Sequence, residues 1–390
     1  MLRQRTAGEP YVSAVMPCLN EEKSLANCIA KAMEGFRHLG MHGEVVVADN
    51  GSTDRSVEVA ESMGARVVRE RRKGYGSALQ CGIREARGQI IVMADADDSY
   101  DWAGLEPFVR KVEEGYDLVM GNRFAGGIAP GAMPFLHRYL GNPVLSLIGR
   151  LAFRIPIRDF HCGMRAFSRD AYERMQPRTS GMEFATEMVA NAAYQGLKVC
   201  EIPTTLRPDT RDRAPHLRSF RDGWRHLRFI LTYTPDFIYF LPGLVLLLAG
   251  LALLVMLAGG PIDVAGFHMG IHFVALGAML AMIGFNVLNL GVLAKAMLAQ
   301  RYRDMRSRIA SFLSRSFSLE TGLIVGTMLF LFGLAIDAWI LRHWLRSGRG
   351  SMDDTVHLAF ATTTIAVLGL NVVFSSFLLA LLLRSNSERS

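Results

Sequence analysis

The stretch IIVMADADDSYD, from Ile90 to Asp101, passes from four apolar residues to four acidic residues within seven positions. A continuous apolar run is typical of a strand buried on both faces of a parallel sheet. Carboxylates this close together repel one another, so either a cation lies among them or the cluster belongs to a solvated loop. The stretch therefore predicts a buried strand of an α/β protein that ends in a charged segment.

Strand-like and helix-like segments alternate along the first half of the chain. The predicted strands are YVSAVM, EVVVAD, ARVVRE, QIIVMADAD and YDLVMGNR, and helical segments separate them. This alternation predicts an α/β fold with a mostly parallel sheet and helices on both faces. Because ligands of open α/β sheets bind beyond the carboxyl ends of the strands, we expect the ligand of this protein beside Asp49, Asp95, Asp97 and Arg123.

Two of the acidic residues have the spacing of a metal site. Side chains alternate in an extended chain, so Asp95 and Asp97 are expected to point the same way while Asp98 points elsewhere. Two hard carboxylate ligands suit Mg²⁺ or Mn²⁺. The alternative is an acidic helix N-terminus, which the helix dipole favours and which we consider for Asp98 and Asp101.

The second half of the chain is strongly apolar. Half of the 390 residues are hydrophobic, and four runs are long enough to cross a bilayer. The alternative, buried helices of a soluble protein, would need a very large core. Asp337 lies near the middle of the third run, where an acid usually faces other helices or a cavity. We predict four transmembrane helices, at about 237–257, 271–293, 323–344 and 358–383.

The charge distribution predicts how these helices are oriented. The N-terminal residues contain no apolar segment, so we expect no signal peptide. Six basic residues lie between the second and third spans, from Lys295 to Arg315, which predicts a cytoplasmic loop. With four spans, both termini and the first domain are then cytoplasmic, although Arg346 and Arg349 in the third loop oppose this orientation. The five cysteines are expected to be reduced packing residues.

An amphipathic helix is predicted immediately before the first span. Its apolar positions step by three or four residues, and arginines run beside them. A basic amphipathic helix next to a span favours the membrane surface, the alternative being a solvated helix packed on the domain. The predicted domains are therefore a catalytic domain at 1–215, an interfacial helix at 216–235 and a membrane domain at 236–390. The apolar positions are Leu217, Phe220, Trp224, Leu227 and Leu231.

Six motifs occur in the order known from one enzyme family. They are PCLNEE, VVVADNGSTD, RRKGYGSALQCGI, MADAD, GNR and RDFHCGMRAF. With them the chain resembles family 2 glycosyltransferases of the GT-A fold, and among these the polyprenol- or dolichol-phosphate glycosyltransferases, such as dolichol-phosphate mannose or glucose synthases. The resemblance implies a Rossmann-like GT-A domain that binds a nucleotide-sugar.

The resemblance also implies roles for single residues on the donor side. Asp49 would contact the base, with Ser52 and Asp54 supporting its loop, and Asp95 and Asp97 form the DxD motif that holds the metal on the diphosphate. Leu19 stands where the family usually has an aromatic residue. The implied nucleotide-sugar site comprises Pro17, Leu19, Glu21, Asp49, Ser52, Asp54, Lys73, Gly74 and Asp95, and the implied metal site comprises Asp95, Asp97 and Ser99.

On the acceptor side, the resemblance implies that Arg123 meets a lipid phosphate and that Asp159 lies close to it. The catalytic set would be Asp95, Asp97, Arg123 and Asp159. The chain departs from the family by lacking an RxxGxSK-like segment, and it carries Arg211 and Arg213 there instead. The implied acceptor-phosphate contacts are Arg123, Arg138, Arg211 and Arg213.

These features predict the inverting transfer of one sugar from a nucleotide-sugar to a membrane polyprenyl phosphate. A divalent ion stabilises the charge of the departing diphosphate, and an ionised lipid phosphate needs positioning rather than a strong base. UDP-glucose is the donor that we favour. The alternatives are a neutral lipid hydroxyl activated by Asp159, a processive polysaccharide synthase, whose QxxRW-type motif the chain lacks, and a non-enzymatic scaffold or transporter. Membrane lipids are expected partners, a homo-oligomer is left open, and no nucleic acid is expected.

Overall fold

The computed structural model describes residues 9–209, 219–264, 266–301, 318–346 and 355–387. The chain divides into two compact units, Met1–Tyr233 and Thr234–Ser390, which are described separately. The predicted Arg211 and Arg213 lie outside the described residues, as does the start of the predicted interfacial segment.

The first unit is built on a seven-stranded sheet with the order β3-β2-β1-β4-β6-β5-β7. All neighbouring pairs are parallel except those that β6 makes with β4 and β5. The prediction of a mostly parallel sheet is confirmed. The strands are β1 (Val12–Cys18), β2 (Gly43–Asp49), β3 (Arg66–Arg69), β4 (Ile90–Met93), β5 (Leu118–Asn122), β6 (Arg165–Ser168) and β7 (Val199–Pro203).

Helices cover both faces of this sheet because successive strand residues point to opposite sides. Val45 and Val47 of β2 join one buried cluster, whereas Val46 joins the other. Helices α1 and α4 contribute to the first cluster, and α3 and α8 contribute to the second. The helices are α1 (Leu25–Leu39), α2 (Ser56–Ser62), α3 (Tyr75–Glu85), α4 (Glu106–Glu113), α5 (Arg123–Gly126), α6 (Asn142–Phe153), α7 (Arg169–Met175), α8 (Phe184–Tyr194) and α9 (Ser219–Thr232).

The structure adds two strands and shortens one. The predicted strands did not include β6 or β7. The strand QIIVMADAD was predicted to continue through Asp97, but β4 ends at Met93 and the chain bends over residues 96–98. Asp98 adopts a positive φ of 61°, which an extended strand does not allow.

Helix α9 packs on the first unit through a face that was not predicted. His226, Phe229 and Ile230 are buried, and His226 Nδ1 lies 2.8 Å from the Thr186 hydroxyl of α8. Among the predicted apolar positions, Trp224 is exposed, and Leu227 and Leu231 are half-buried. The helix therefore has one face against the domain and a second face that presents an aromatic side chain.

The second unit contains four helices of sufficient length and apolarity to cross a membrane, as predicted. They pack closely at glycines: a Cβ on Gly250 would lie 2.3 Å from the Ala281 nitrogen of the next helix. Asp337 of the third helix accepts hydrogen bonds from Thr362 and Thr363 of the fourth, so the acid faces another helix as expected. The elements of this unit are α10 (Leu241–Leu257), β8 (Ile262–Val264), β9 (Phe267–Met269), α11 (Ile271–Arg301), α12 (Leu319–Arg346) and α13 (Val356–Ser387).

Candidate active site

The carboxyl ends of β1, β2, β4 and β5 meet at one edge of the sheet. Cys18, the last residue of β1, pairs with Asp49, the last residue of β2. Strand β5 runs in the same direction as β4 because both are antiparallel to β6. The segments that follow these four strands, which carry most of the predicted site residues, therefore lie along a single edge.

Asp49 organises the loop that follows β2. Its carboxylate accepts hydrogen bonds from the backbone amides of Gly51 (3.2 Å) and Ser52 (2.9 Å). The Ser52 hydroxyl in turn accepts from the backbone of Asn20, and the Asn20 side chain accepts from Thr53 at 2.7 Å. These bonds join the segment after β1, with the half-buried Pro17 and Leu19, to the segment after β2.

Asn50 connects the same loop to the segment before α3. Its amide donates to the carbonyls of Glu70 and Arg72, and its carbonyl oxygen accepts from the Gly74 amide at 2.7 Å. The Lys73 ammonium donates to the Asn50 carbonyl at 2.8 Å. The structure thus brings Lys73 and Gly74 next to the Asp49 loop.

Glu21 and Asp54 lie at the outer end of this network. The backbone amide of Glu21 donates to the Ser56 hydroxyl at 2.7 Å, and Asp54 accepts from the Ser56 hydroxyl and from the Glu22 amide. Partial burial raises the pKa of the Asp54 carboxyl, but these hydrogen bonds outweigh it and the pKa lies below its ordinary value. Asp54 therefore stays ionised and holds the two loops together.

The carboxylates of the acidic segment after β4 have different partners. Asp97 is buried and accepts from the Ser99 amide (3.1 Å) and the Ser99 hydroxyl (2.5 Å). Asp98 turns away to Lys31, at 2.6 Å. Asp101 caps the short helix that follows by accepting from the Ala103 amide. The helix N-terminus interpretation is thus correct for Asp101 and wrong for Asp98, which neutralises a lysine of α1 instead.

Tyr75 lies near Asp95 and Asp97, the two acids of the predicted metal site. Burial raises the pKa of its phenol well above the ordinary range, and the negative charges of Asp95 and Asp97 raise it further. Both carboxylates are therefore within electrostatic reach of one hydroxyl group, although the strand ends before them. Two neighbouring carboxylates suit Mg²⁺, which usually takes one or two protein carboxylates and completes its shell with water and substrate phosphates. Ser99 is engaged by Asp97. Across the described segments, no cluster of three His, Cys, Asp or Glu residues offers an all-protein metal cage.

Arg123 and Asp159 form a buried ion pair. The Arg123 Nε and one terminal nitrogen each donate to Asp159 at 2.8 Å, and the Arg123 amide donates at 3.0 Å. Arg123 is nearly buried and Asp159 is fully buried. Burial lowers the pKa of the guanidinium, but the neighbouring Tyr100 and Asp159 raise it well above its ordinary value. The guanidinium is thus charged, and it donates to both carboxylate oxygens of Asp159.

Tyr100 links this ion pair to the acidic segment. Its hydroxyl accepts from the Gly163 amide at 2.8 Å, and a Cβ on Gly163 would lie 2.8 Å from the Asp95 carboxylate. On the other side, Glu201 of β7 accepts from the Asp159 amide (2.7 Å) and from Asn122 (3.1 Å). Tyr100 and Asp95 thus meet at Gly163, while Glu201, Asn122 and the Arg123–Asp159 pair form one hydrogen-bond network.

Arg138 is not joined to this network. Its guanidinium lies over the Tyr139 ring, 5.5 Å from the centroid. No hydrogen bond or ion pair between described residues connects it to Arg123 or Asp159. The last part of the chain before residue 210 does approach the acidic segment, since the Arg207 amide donates to the Ser99 carbonyl at 2.9 Å.

Sequence reasoning missed the neutral and supporting members of the site. They are Asn20, Asn50, Tyr75, Tyr100 and Glu201. Tyr75 and Tyr100 stand inside or next to quoted motifs, GYG and DADDSY, so proximity to a motif was a usable signal. Glu201 lies on a strand that was not predicted, 42 to 79 positions from its partners.

The chain matches two family descriptions and several curated proteins. Glycosyl transferase family 2 matches residues 13–176, and the glycosyltransferase family 2 C-terminal transmembrane region matches residues 292–383. The low-salt glycan biosynthesis hexosyltransferase Agl6 of Haloferax volcanii is 38% identical over 371 residues, which cover 95% of this chain and 88% of that protein. A dolichyl-phosphate hexose transferase of the same organism is 30% identical over 50% of this chain and 82% of its own length.

Solved structures with a similar sheet include glucosyl-3-phosphoglycerate synthase from Mycobacterium tuberculosis. One was crystallised with Mn²⁺, uridine diphosphate and glucosyl-3-phosphoglycerate, and another with Mg²⁺ and uridine diphosphate. The first covers 58% of this chain and 79% of its own, with 22% identity and a TM-score of 0.45.

Proposed function

Because the chain belongs to glycosyltransferase family 2, we propose that it transfers a single hexose from a nucleotide-sugar to a membrane polyprenyl phosphate, with inversion at the anomeric carbon. The observation that carries this proposal is the charged edge of the sheet, where Asp95 and Asp97 follow β4 and the Arg123–Asp159 pair follows β5. The four apolar helices support a lipid acceptor.

The proposed donor site follows from the loops after β1, β2 and β4. The Asp49 and Asn50 networks shape a pocket edge for the nucleoside, and Lys73 offsets diphosphate charge. Asp95 and Asp97 would hold Mg²⁺ or Mn²⁺, which when bound stabilises the negative charge of the leaving diphosphate. Names of relatives and similar structures support a hexose and uridine diphosphate, and UDP-glucose is the donor that we propose.

The state of Asp159 favours a phosphate acceptor over a hydroxyl acceptor. A hydroxyl would need a general base within hydrogen-bond reach. Both oxygens of Asp159 already accept hydrogen bonds from Arg123, and its side chain is inaccessible to solvent. A lipid phosphate is mostly ionised at pH 7 and attacks the anomeric carbon directly, while the carbon–oxygen bond to the nucleoside diphosphate breaks with its electron pair.

Transfer from labelled UDP-glucose to polyprenyl phosphate by the full-length protein tests the proposal. We expect a labelled lipid product that forms only in the presence of a divalent ion. Mild acid should release the labelled sugar from it. Replacing the lipid by a neutral polyprenol should abolish the product, and GDP-mannose serves as the competing donor. Transfer to polyprenol at the same rate, or growth of a polymer, would refute the proposal.

The proposed topology places both termini, the first unit and the basic loop at 301–315 in the cytoplasm. The arginines of that loop support this orientation through the positive-inside rule. Single cysteines introduced into the loop, in a variant without the five native cysteines, can be labelled with a membrane-impermeant maleimide in sealed right-side-out and inverted vesicles. Labelling from the outside alone would contradict the topology.

A further inference from the structure

A cavity of about 400 Å³ opens beside the Arg123–Asp159 pair. Asn122 and Arg158, which line it, directly precede the two partners of that pair in the sequence. Its volume falls within the range of small-molecule sites in proteins. The cavity lies between α5 and α6 and is lined by Asn122, Phe124, Ala125, Pro143, Ser146, Leu147, Arg150 and Arg158.

Hydrogen bonds hold several polar groups along the wall of the cavity. The Ser146 hydroxyl accepts from the Phe160 amide at 3.2 Å, and Asn122 bonds both Glu201 and the Ala125 amide. Glu201 also accepts from the Arg158 amide at 2.6 Å. The position of Arg158 is therefore set by its backbone, while its exposed side chain remains available.

The two arginines of the wall differ in their charge partners from Arg123, Arg66 and Lys31. Arg123, Arg66 and Lys31 each pair with a carboxylate. Within the described part of the chain, no ion pair is formed by the side chain of Arg150 or Arg158. Two uncompensated guanidinium groups on one apolar cavity favour an anion, and guanidinium is well suited to phosphate.

The apolar side of the cavity continues onto the surface. Val144, Leu147 and Leu151 follow one another by three and four residues on α6, and all three are exposed. Tyr139 and Leu140, just before this helix, are exposed as well. A ligand that combined a phosphate with a branched hydrocarbon chain would complement both the arginines and this stripe.

We propose that the α5–α6 cavity binds the isoprenoid phosphate acceptor, with Arg150 and Arg158 on the phosphate and the exposed α6 stripe on the first isoprene units. The role of this ligand as the acceptor rests on the proposed function, whereas the binding of an isoprenoid phosphate to the cavity does not. It gives the phosphate contacts to two free arginines rather than to Arg123, whose guanidinium is occupied by Asp159.

Equilibrium binding of labelled farnesyl phosphate to the full-length protein in detergent tests the assignment. Arg150→Gln and Arg158→Gln should each weaken binding about tenfold, the factor that corresponds to 1.4 kcal/mol. Arg154→Gln is the matched control, because Arg154 is an exposed neighbour at the end of α6 that does not line the cavity. Farnesol and inorganic phosphate should both compete poorly. Since Arg150 is half-buried, Arg150→Lys, which keeps the charge, should retain most of the affinity.

Several results would overturn the assignment. One is unchanged affinity in both glutamine variants, and another is equal competition by farnesol or by inorganic phosphate, which would reduce the site to an apolar or an anion site. A third is that the glutamine variants still bind farnesyl phosphate but no longer bind anionic vesicles that contain no isoprenoid phosphate. This result would make the stripe a bilayer contact. If the wild type binds farnesyl phosphate but transfers no sugar, the proposed function is refuted and the assignment of the cavity is retained. If the wild type transfers sugar and both variants keep its KM for the lipid, the assignment of the cavity is refuted and the proposed function is retained.

Discussion

Removing Arg123 should destabilise the first unit strongly, because its partner would be left charged and buried. The side chain of Asp159 is 0% exposed and that of Arg123 is 9% exposed. Truncating one partner of such a pair typically costs about 3–5 kcal/mol, since the remaining charge has lost its compensation. For a unit of this size, 1 kcal/mol corresponds to about 2–4 °C in melting temperature, so Arg123→Ala should lower Tm by about 6–20 °C.

A double-mutant cycle separates the pair from the individual residues. The cycle comprises Arg123→Met, Asp159→Val and the variant that carries both changes. The double variant removes both charges and should recover at least half of the stability lost in either single variant. Arg110→Ala is the control, because Arg110 forms ion pairs with Glu106 and Glu113 at the surface, where such pairs contribute about 0–1 kcal/mol.

Thermal unfolding of the full-length protein, followed by intrinsic fluorescence, provides the measurement. Nucleotide-sugar affinity, measured on the same samples below the transition, shows whether the donor site survives. A Tm for Arg123→Ala within about 2 °C of the wild type, or losses that simply add in the double variant, would show that Asp159 is not the buried partner of Arg123.

Three further predictions concern other parts of the first unit. Asp97→Asn should reduce transfer by about 100-fold or more without a change in Tm, because the carboxylate charge and not the side-chain shape is removed; retained metal-dependent transfer would contradict this. Burial, and then the nearby cations, lower the pKa of His161 well below its ordinary value, so the folded protein keeps it neutral. The unfolded chain binds that proton below about pH 6.5, and stability is therefore full above this pH and falls below it by up to about 1.4 kcal/mol per pH unit. His161→Phe should flatten this slope in Tm measurements between pH 7 and 5, and an equally steep decline in the variant would rule the histidine out as its source. Gly74→Ala should weaken nucleotide-sugar binding, because Gly74 has a φ of 134° and a Cβ there would lie 2.2 Å from the Ser180 carbonyl oxygen; Gly131→Ala, with a φ of 79° and open space, is the control, and equal affinities in the two variants would exclude the clash.

The parts of the fold that were predictable depend on local patterns. The apolar runs of β1, β2 and β5 and the four membrane helices follow from hydrophobicity over consecutive residues, which local sequence contains in full. The spacing of Asp95 and Asp97 and the order of the six motifs likewise indicated the family and the charged edge of the sheet. These features required no knowledge of which distant segments meet.

The remaining features depend on contacts between distant segments. Strand β6 is antiparallel within a parallel sheet and only four residues long, so its pairing with β4 and β5 has no local signature. For α9 the sequence predicted an apolar face at the membrane surface, but it did not show that His226 packs against Thr186 of the domain. Local charge patterns could not show these polar contacts.

Arg123 illustrates the same limit within the site. By sequence it was a free cation for a lipid phosphate, and by structure it is the partner of Asp159, which lies 36 positions away. Arg150 and Arg158 have no motif that distinguishes them from other surface arginines, and only the packing of α6 beside α5 brings them to one cavity. The sequence alone determined five of the seven strands of the sheet, the four apolar helices and the chemical types at the edge of the sheet. The tertiary structure decided which charges neutralise each other and which remain available to a ligand, because that outcome depends on distances that the order of residues does not contain.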